Sequence, residues 1–198
     1  MKTVTTWSLY LLISLFILSF SACNPSARNN RAQSSSIEGS SRTNEQRVME
    51  MHDKLMRSFG DDWIERESDP ELYPPFYGGS FIDNNGTFVI AVTGNQEANK
   101  QHLIDVLGTD NFNVETVQYS YRQMMQVMDL IDAFLFNTSV PNDHPVLERF
   151  AGAYPDVMDN RVKVILTDVN QEAIRAFKRD ISDSPIVEFE QGEMPELF

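Results

Sequence analysis

The sequence predicts an α+β fold: two hairpin-helix-strand repeats around a central helix, preceded by an N-terminal amphipathic helix. Three observations carry that expectation. Residues 81–92, Phe81-Ile82-Asp83-Asn84-Asn85-Gly86-Thr87-Phe88-Val89-Ile90-Ala91-Val92, read as two apolar strands around an Asn-Gly turn, the strongest short-range hairpin signal. An apolar strand leads into a helix twice, and the tetrad Asn-Gln-Glu-Ala stands at 95–98 and again at 170–173. Between the two units Met124, Val127, Met128, Ile131, Phe134 and Leu135 recur at helical spacing, a broad apolar face suited to burial.

At the N-terminus, Lys2 precedes an almost entirely apolar run from Leu9 to Phe20, short for a permanent span and suited to a cleaved signal core. The run breaks into Ser21-Ala22-Cys23, and Cys23 is the chain's single cysteine. A lone thiol makes no internal disulfide. This segment resembles the lipobox of bacterial lipoproteins, with Phe20 where that family usually has leucine. The resemblance implies that residues 1–22 are removed and that Cys23 is acylated, tethering the protein to the membrane of the bacterial cell envelope. Each buried methylene adds about 0.8 kcal/mol, so several acyl chains hold stably. Asn24-Pro25-Ser26-Ala27-Arg28 contains no acidic residue, which favours a periplasm-facing location over the cell surface.

Residues 23–44, rich in Ser, Asn, Arg and Gly, are expected to form a flexible tether, because they offer little apolar area to offset ordering entropy. Residues 45–198 suit a single domain with one compact core. The net charge of -13 repels phosphate, so no nucleic-acid partner is expected, and solubility is its simplest role.

The domain opens with Thr43-Asn44-Glu45-Gln46, a capping-box pattern. Val48, Met51, Leu55, Met56 and Phe59 follow at helical spacing up to Gly60, a natural stop. An acidic stretch over residues 61–69 leads to Tyr73-Pro74-Pro75-Phe76-Tyr77, expected as an extended connector because proline fixes φ and lacks a donor. After the first hairpin, a helix runs from Asn95 as cap to Leu107 with Gly108 as terminator, and a strand follows over residues 114–119. Ser120-Tyr121-Arg122-Gln123 gives the central helix a capping box. Pro141 and Pro145 bracket a loop, and Pro155 marks an edge strand or irregular arm of the second hairpin. Strands at residues 162–167 and 186–189 flank a helix beginning near Asn170. The repeats thus span about residues 76–119 and 151–190.

Residues 76–93, from Phe76-Tyr77-Gly78-Gly79-Ser80 through the Asp83-Asn84-Asn85-Gly86 turn to Val92-Thr93, resemble the hairpin of pro-domains of secreted serine proteases of the α-lytic and streptogrisin type. Residues 151–190 are similar to a related segment, with Pro155 as a departure. The resemblance implies a module that guides folding of a protease and can inhibit it afterward. No Gly-Asp-Ser-Gly nucleophile segment stands in the sequence, so a protease partner is expected in trans. The tail Gly192-Glu193-Met194-Pro195-Glu196-Leu197-Phe198 could then lie product-like in a cleft, anchored by Phe198.

Reactive constellations are sparse. His52, His102 and His144 fit no His-Glu-x-x-His pattern, and one cysteine builds no zinc cluster. Ser80 lacks the Gly-x-Ser-x-Gly elbow, and Gly78-Gly79 is not followed by a phosphate-loop lysine. Asp61, Asp62, Glu65, Glu67, Asp69 and Glu71 read as a solvated acidic run. No catalytic residue, metal or cofactor is expected. The leading expectation is a non-catalytic envelope module binding an exported protein or peptide by strand addition, through the edge near Pro155 or the aromatic segment. The candidate contact residues are Trp63, Tyr73, Phe76, Tyr77, Tyr154 and Phe198. The alternatives are a pro-domain-like inhibitor or folding assistant, and an unrelated periplasmic hydrolase.

Overall fold

The computed structural model describes residues 34–194, with side chains from residue 43. The expected signal segment, Cys23 and Phe198 lie outside the described residues.

The first helix, α1, runs Ser34–Ser58. It therefore starts before the Thr43 box and takes in residues 34–44, which the sequence reading assigns to the tether. No proline interrupts this stretch, and its Ser and Gly residues each cost a helix less than about 1 kcal/mol. Within the helix, Asn44 makes a tertiary contact: its Nδ2 donates to the Gly86 carbonyl at 2.9 Å. The acidic stretch folds as a short helix, α2 (Trp63–Ser68), capped by the Asp62 carboxylate on the Ile64 and Glu65 amides. A 3-10 turn (Pro70–Leu72) follows. The Tyr77 amide then donates to the Pro74 carbonyl at 2.9 Å, so residues 74–77 turn where an extended connector is expected.

Two three-stranded sheets follow. In the first, β1 (Tyr77–Ile82) pairs antiparallel with β2 (Phe88–Val92), and β2 pairs parallel with β3 (Asn113–Thr116). Helix α3 (Gln96–Leu107) makes the crossover, capped by the Asn95 side chain on the Ala98 amide and closed by Gly108 at φ 70. In the second, β4 (Phe150–Asp156) pairs antiparallel with β5 (Arg161–Leu166), which pairs parallel with β6 (Val187–Gln191). Its crossover is α5 (Gln171–Asp180), capped by Asn170 on the Ala173 amide. Both sheets place the second strand of the hairpin in the middle. Both also shift register at the same place, between Tyr77 and Gly79 and between Phe150 and Gly152. Pro155 lies in β4, an edge strand, as its missing donor predicts.

The first hairpin tip differs from a two-residue Asn-Gly turn. The Gly86 amide donates to the Asp83 carbonyl, and the Asp83 amide donates to Thr87. Gly86 alone of the turn residues takes positive φ. The result is a type I turn closed by a glycine bulge, held by the Asp83 carboxylate on the Asn85 and Thr87 amides.

The buried side chains fall into two clusters where length suggests one. Val48, Leu55, Phe59, Phe88, Ile90, Val92, Leu103 and Leu107 build the first. Met124, Val127, Ile131, Val146, Val162, Val164, Leu166, Phe177 and Ile186 build the second. Between the sheets, α4 (Tyr121–Leu135) starts from the reciprocal Ser120–Gln123 capping box. It packs on β1 and the 3-10 turn in one half and on β4 and β5 in the other. That makes it the central helix, with Tyr121 touching both clusters.

Candidate functional site

The aromatic segment turns inward. Tyr73 and Tyr77 are each 4% exposed and stack at 5.8 Å, with Phe59 and Tyr121 packed on their edges. The Tyr73 hydroxyl donates to Glu67 at 3.0 Å, and the Tyr77 hydroxyl pairs with Ser80 at 2.9 Å. Burial raises the pKa of both phenols, with the nearby Tyr121 adding to the rise. This corrects the expectation that these two tyrosines offer a contact surface: their faces are spent on the packing between halves. Phe76 is half-buried against His102. Trp63 on α2 is 65% exposed, beside exposed Ile64.

Tyr154 lies on the opposite kind of surface. Val162, Val164 and Leu166 of β5 point into the second core, so the intervening Arg161, Lys163 and Ile165 take the outer face by the period of a strand. Register puts Tyr154 of β4 and Glu188 of β6 beside Lys163, and Gly152 and Glu190 beside Ile165. The Lys163 ammonium meets Asp159 at 2.8 Å, Glu190 at 2.9 Å and Glu188 at 3.0 Å. Those three carboxylates raise its pKa, and the lysine is buried. Tyr154 remains 41% exposed at the sheet edge. Its phenol is raised by partial desolvation and then by Glu190.

The junction between halves is built from residues that the sequence reading leaves unmarked. Asn160 is 5% exposed. Its Oδ1 accepts from the Tyr119 amide at 2.7 Å, and its Nδ2 donates to the Tyr119 carbonyl at 2.8 Å. One side-chain amide thus satisfies both backbone groups of a residue in the connection before α4, as a strand partner would. Asn160 sits at φ 54, a left-handed position that Asn tolerates better than most residues. Arg161 covers the Tyr119 ring at 5.2 Å. Val157, at the tip of the same hairpin, presses on Gly79: a β-carbon built there would lie 2.5 Å from Val157 Cγ1. The Arg122 guanidinium reaches back to the Tyr73 carbonyl and to Glu71. The Asp156…Asp159-Asn160 spacing was a readable turn signal; its partner across the molecule was not.

The one close His–Asp pair with a nearly buried ring is His144–Asp180. His144 Nδ1 accepts from the Val146 amide at 3.2 Å, so Nε2 carries the proton and donates to Asp180 at 3.0 Å. Both ring nitrogens are engaged, and Phe134 packs on the ring at 4.9 Å. Arg179 and His144 hold the Asp180 carboxyl down to about 2. This pair latches the loop before β4 to the end of α5. His52 on α1 packs edge-on to Phe88, and His102 on α3 edge-on to Phe76, so each imidazole sits on a different aromatic ring. Among the described residues no group of three or more His, Cys, Asp or Glu side chains could hold a metal ion.

Two family models match the chain. Residues 31–117 are similar to a Pro-like N-terminal domain, and residues 122–192 to a Pro-like C-terminal domain. Each match contains one of the two sheets, and they meet at the connection that Asn160 clamps. Together they support a protease pro-domain-like module with an α+β fold. No curated protein matches the sequence.

Proposed function

We propose that the protein is a lipid-anchored module of the bacterial envelope that binds an exported protein or peptide and catalyses nothing itself. One observation carries the reading: the second sheet ends in β4, an edge strand bearing half-exposed Tyr154, on the same face as the solvent-exposed carboxylates of Glu188 and Glu190. An unpaired strand edge offers main-chain donors and acceptors to an extended segment, while an adjacent aromatic supplies a side-chain contact. The Pro-like matches agree with a binding role, since pro-domain-like modules are generally non-catalytic. The chemistry of His144 agrees too, because neither ring nitrogen is left to act as a base.

The test is capture from envelope extracts by the full chain in detergent, run beside a Tyr154→Asp variant. A specific polypeptide retained by the first and lost by the second supports the reading; equal retention or none removes it. Anchoring is tested separately by the mass of the native N-terminal peptide, which carries acyl chains on Cys23 if the tether exists.

A second reading follows from the family matches: inhibition or assisted folding of a chymotrypsin-like protease in trans. It predicts slowed substrate turnover when the chain is added to such an enzyme, with relief on deleting Leu197 and Phe198. No change in turnover or in refolding yield would rule it out.

A further inference from the structure

The two sheets provide an internal comparison. Gly79 and Gly152 occupy the same place: each follows the register shift of its first strand, and each pairs with a central-strand residue on the outer face, Ala91 or Ile165. Over Gly79 the seat is filled. Val157 from the tip of the β4–β5 hairpin stands where a side chain at Gly79 would begin, with Cγ1 at 2.5 Å and Cβ at 2.6 Å from that position. Ala91 beneath is fully buried. Over Gly152 the seat is open: the nearest atom beyond its chain neighbours is Ile165 Cδ1 at 4.0 Å, and Ile165 is partly exposed. A glycine inside a strand commonly marks close approach of another chain segment, and here one of the two equivalent glycines shows what approaches.

We propose that the outer face of the second sheet at Gly152 is the seat for a β-hairpin turn of another polypeptide, carrying a β-branched apolar residue at its tip. This rests on the proposed binding role and deepens it. Val157 on Gly79 is the precedent for shape: a branched side chain enters where the glycine leaves room. Tyr154 flanks the open seat as Phe81 flanks the filled one, both two residues beyond their glycine. Glu190, beside Ile165, and Glu188 share the Lys163 ammonium with Asp159, and the excess of carboxylates over that one cation favours a hairpin with basic flanks. Gly152, unlike Gly79, has no left-handed φ, so a side chain can be introduced there without backbone strain.

The probe is a fluorescent, backbone-cyclised peptide with the sequence of residues 154–163, the hairpin tip that already fits such a seat. It is titrated into the full chain in detergent by anisotropy, and hydrogen exchange maps the contact. Binding that protects β4 and β5 around Gly152 and Ile165 is expected. It should weaken at least tenfold with the protein variant Gly152→Val, less with Gly152→Ala, and likewise with a peptide carrying Val157→Asp. Unchanged circular dichroism and Tm of the Gly152 variants show that the fold is intact. Equal binding to wild type and Gly152→Val overturns the seat while leaving strand addition at the edge standing. Protection at Gly79, or no binding at millimolar peptide, overturns it as well. Altered exchange at Gly152 on deleting residues 195–198, before any peptide is added, would give the seat to the chain's own tail.

Discussion

Asn160→Gly isolates the clamp between halves. The wild-type side chain makes two hydrogen bonds to Tyr119, at 2.7 and 2.8 Å, in a site 5% exposed. Each such bond contributes about 1 kcal/mol net, and a backbone group left buried without a partner costs about 1–3 kcal/mol. Some water entry at the hairpin tip limits the second figure, so the loss should be about 2–4 kcal/mol. Glycine keeps the φ of 54 without strain. Asn160→Ala removes the same bonds and adds about 1 kcal/mol for a β-carbon in the left-handed region. Urea denaturation followed by circular dichroism gives both values. Because the two cores are separate clusters, the loosened variant should also unfold over a broader range, with a lower m-value. Native-state exchange of the Tyr119 amide should quicken in step. A Gly variant within about 0.5 kcal/mol of wild type, or a Tyr119 amide as protected as before, would refute the clamp.

Gly79→Ala should cost about 3 kcal/mol or more, since it meets Val157 at 2.5 Å and sits at φ 120, adding overpacking to strain. Gly94→Ala, at φ 79 with nothing within 4 Å, should cost only about 1 kcal/mol by the same denaturation assay. Asp180 is depressed from 3.8 to about 2 by Arg179 and His144, so its stabilising contribution is present above pH 3.8 and fades as pH falls toward 2. Asp180→Asn should therefore flatten the Tm profile across that interval, and an unchanged profile would show that the latch is idle. Gly192→Val should destabilise by about 1–3 kcal/mol because its β-carbon meets Ile165 Cγ2 at 2.5 Å. Ile165→Ala should relieve most of that in the double variant, and simple additivity of the two losses would deny the contact.

Much of the fold was legible because local chemistry decided it. Asn95, Asn170 and the Ser120–Gln123 pair cap helices at their own positions, and Gly108 stops α3 in the left-handed region. Pro155 announced an edge strand through its missing donor. What failed was decided at a distance. Tyr73 and Tyr77 look alike in sequence whether they face water or Phe59 and Tyr121, since aromatics flanking a Pro-Pro pair have no period to read. The start of α1 misled because Thr43-x-x-Gln46 fits a cap as well as a helix interior, and Asn44 had a partner in the hairpin turn. Asn160 and the two seats needed both halves together: the glycines were visible, and the residue lying over one of them was not.

The halves also differ in a way that separates scaffold from surface. Inside, apolar residues of the central strand face helices in both, Phe88, Ile90 and Val92 in one and Val162, Val164 and Leu166 in the other. Just outside, volume is exchanged across the strand. Ala91 has Val117 close by, both packed at Gly78, whereas Ile165 has Gly192, a small and large pair in one half and a large and small pair in the other. Such an exchange preserves packing, and it leaves the fold indifferent to which strand carries the bulk. Farther along the outer faces nothing is preserved. Phe81, Val89 and Asn113 stand in register where Tyr154, Lys163 and Glu188 stand in the second sheet. Phe81 and Val89 make the first row apolar except at Asn113, and it continues from the place at Gly79 that Val157 covers. A row of phenol, ammonium and carboxylate suits a face that stays wet until something else arrives, because each group can keep its partners in water and still meet a polar rim on docking. Among the described residues no other segment stands over Gly152 as Val157 stands over Gly79, and the proposed hairpin would take that place.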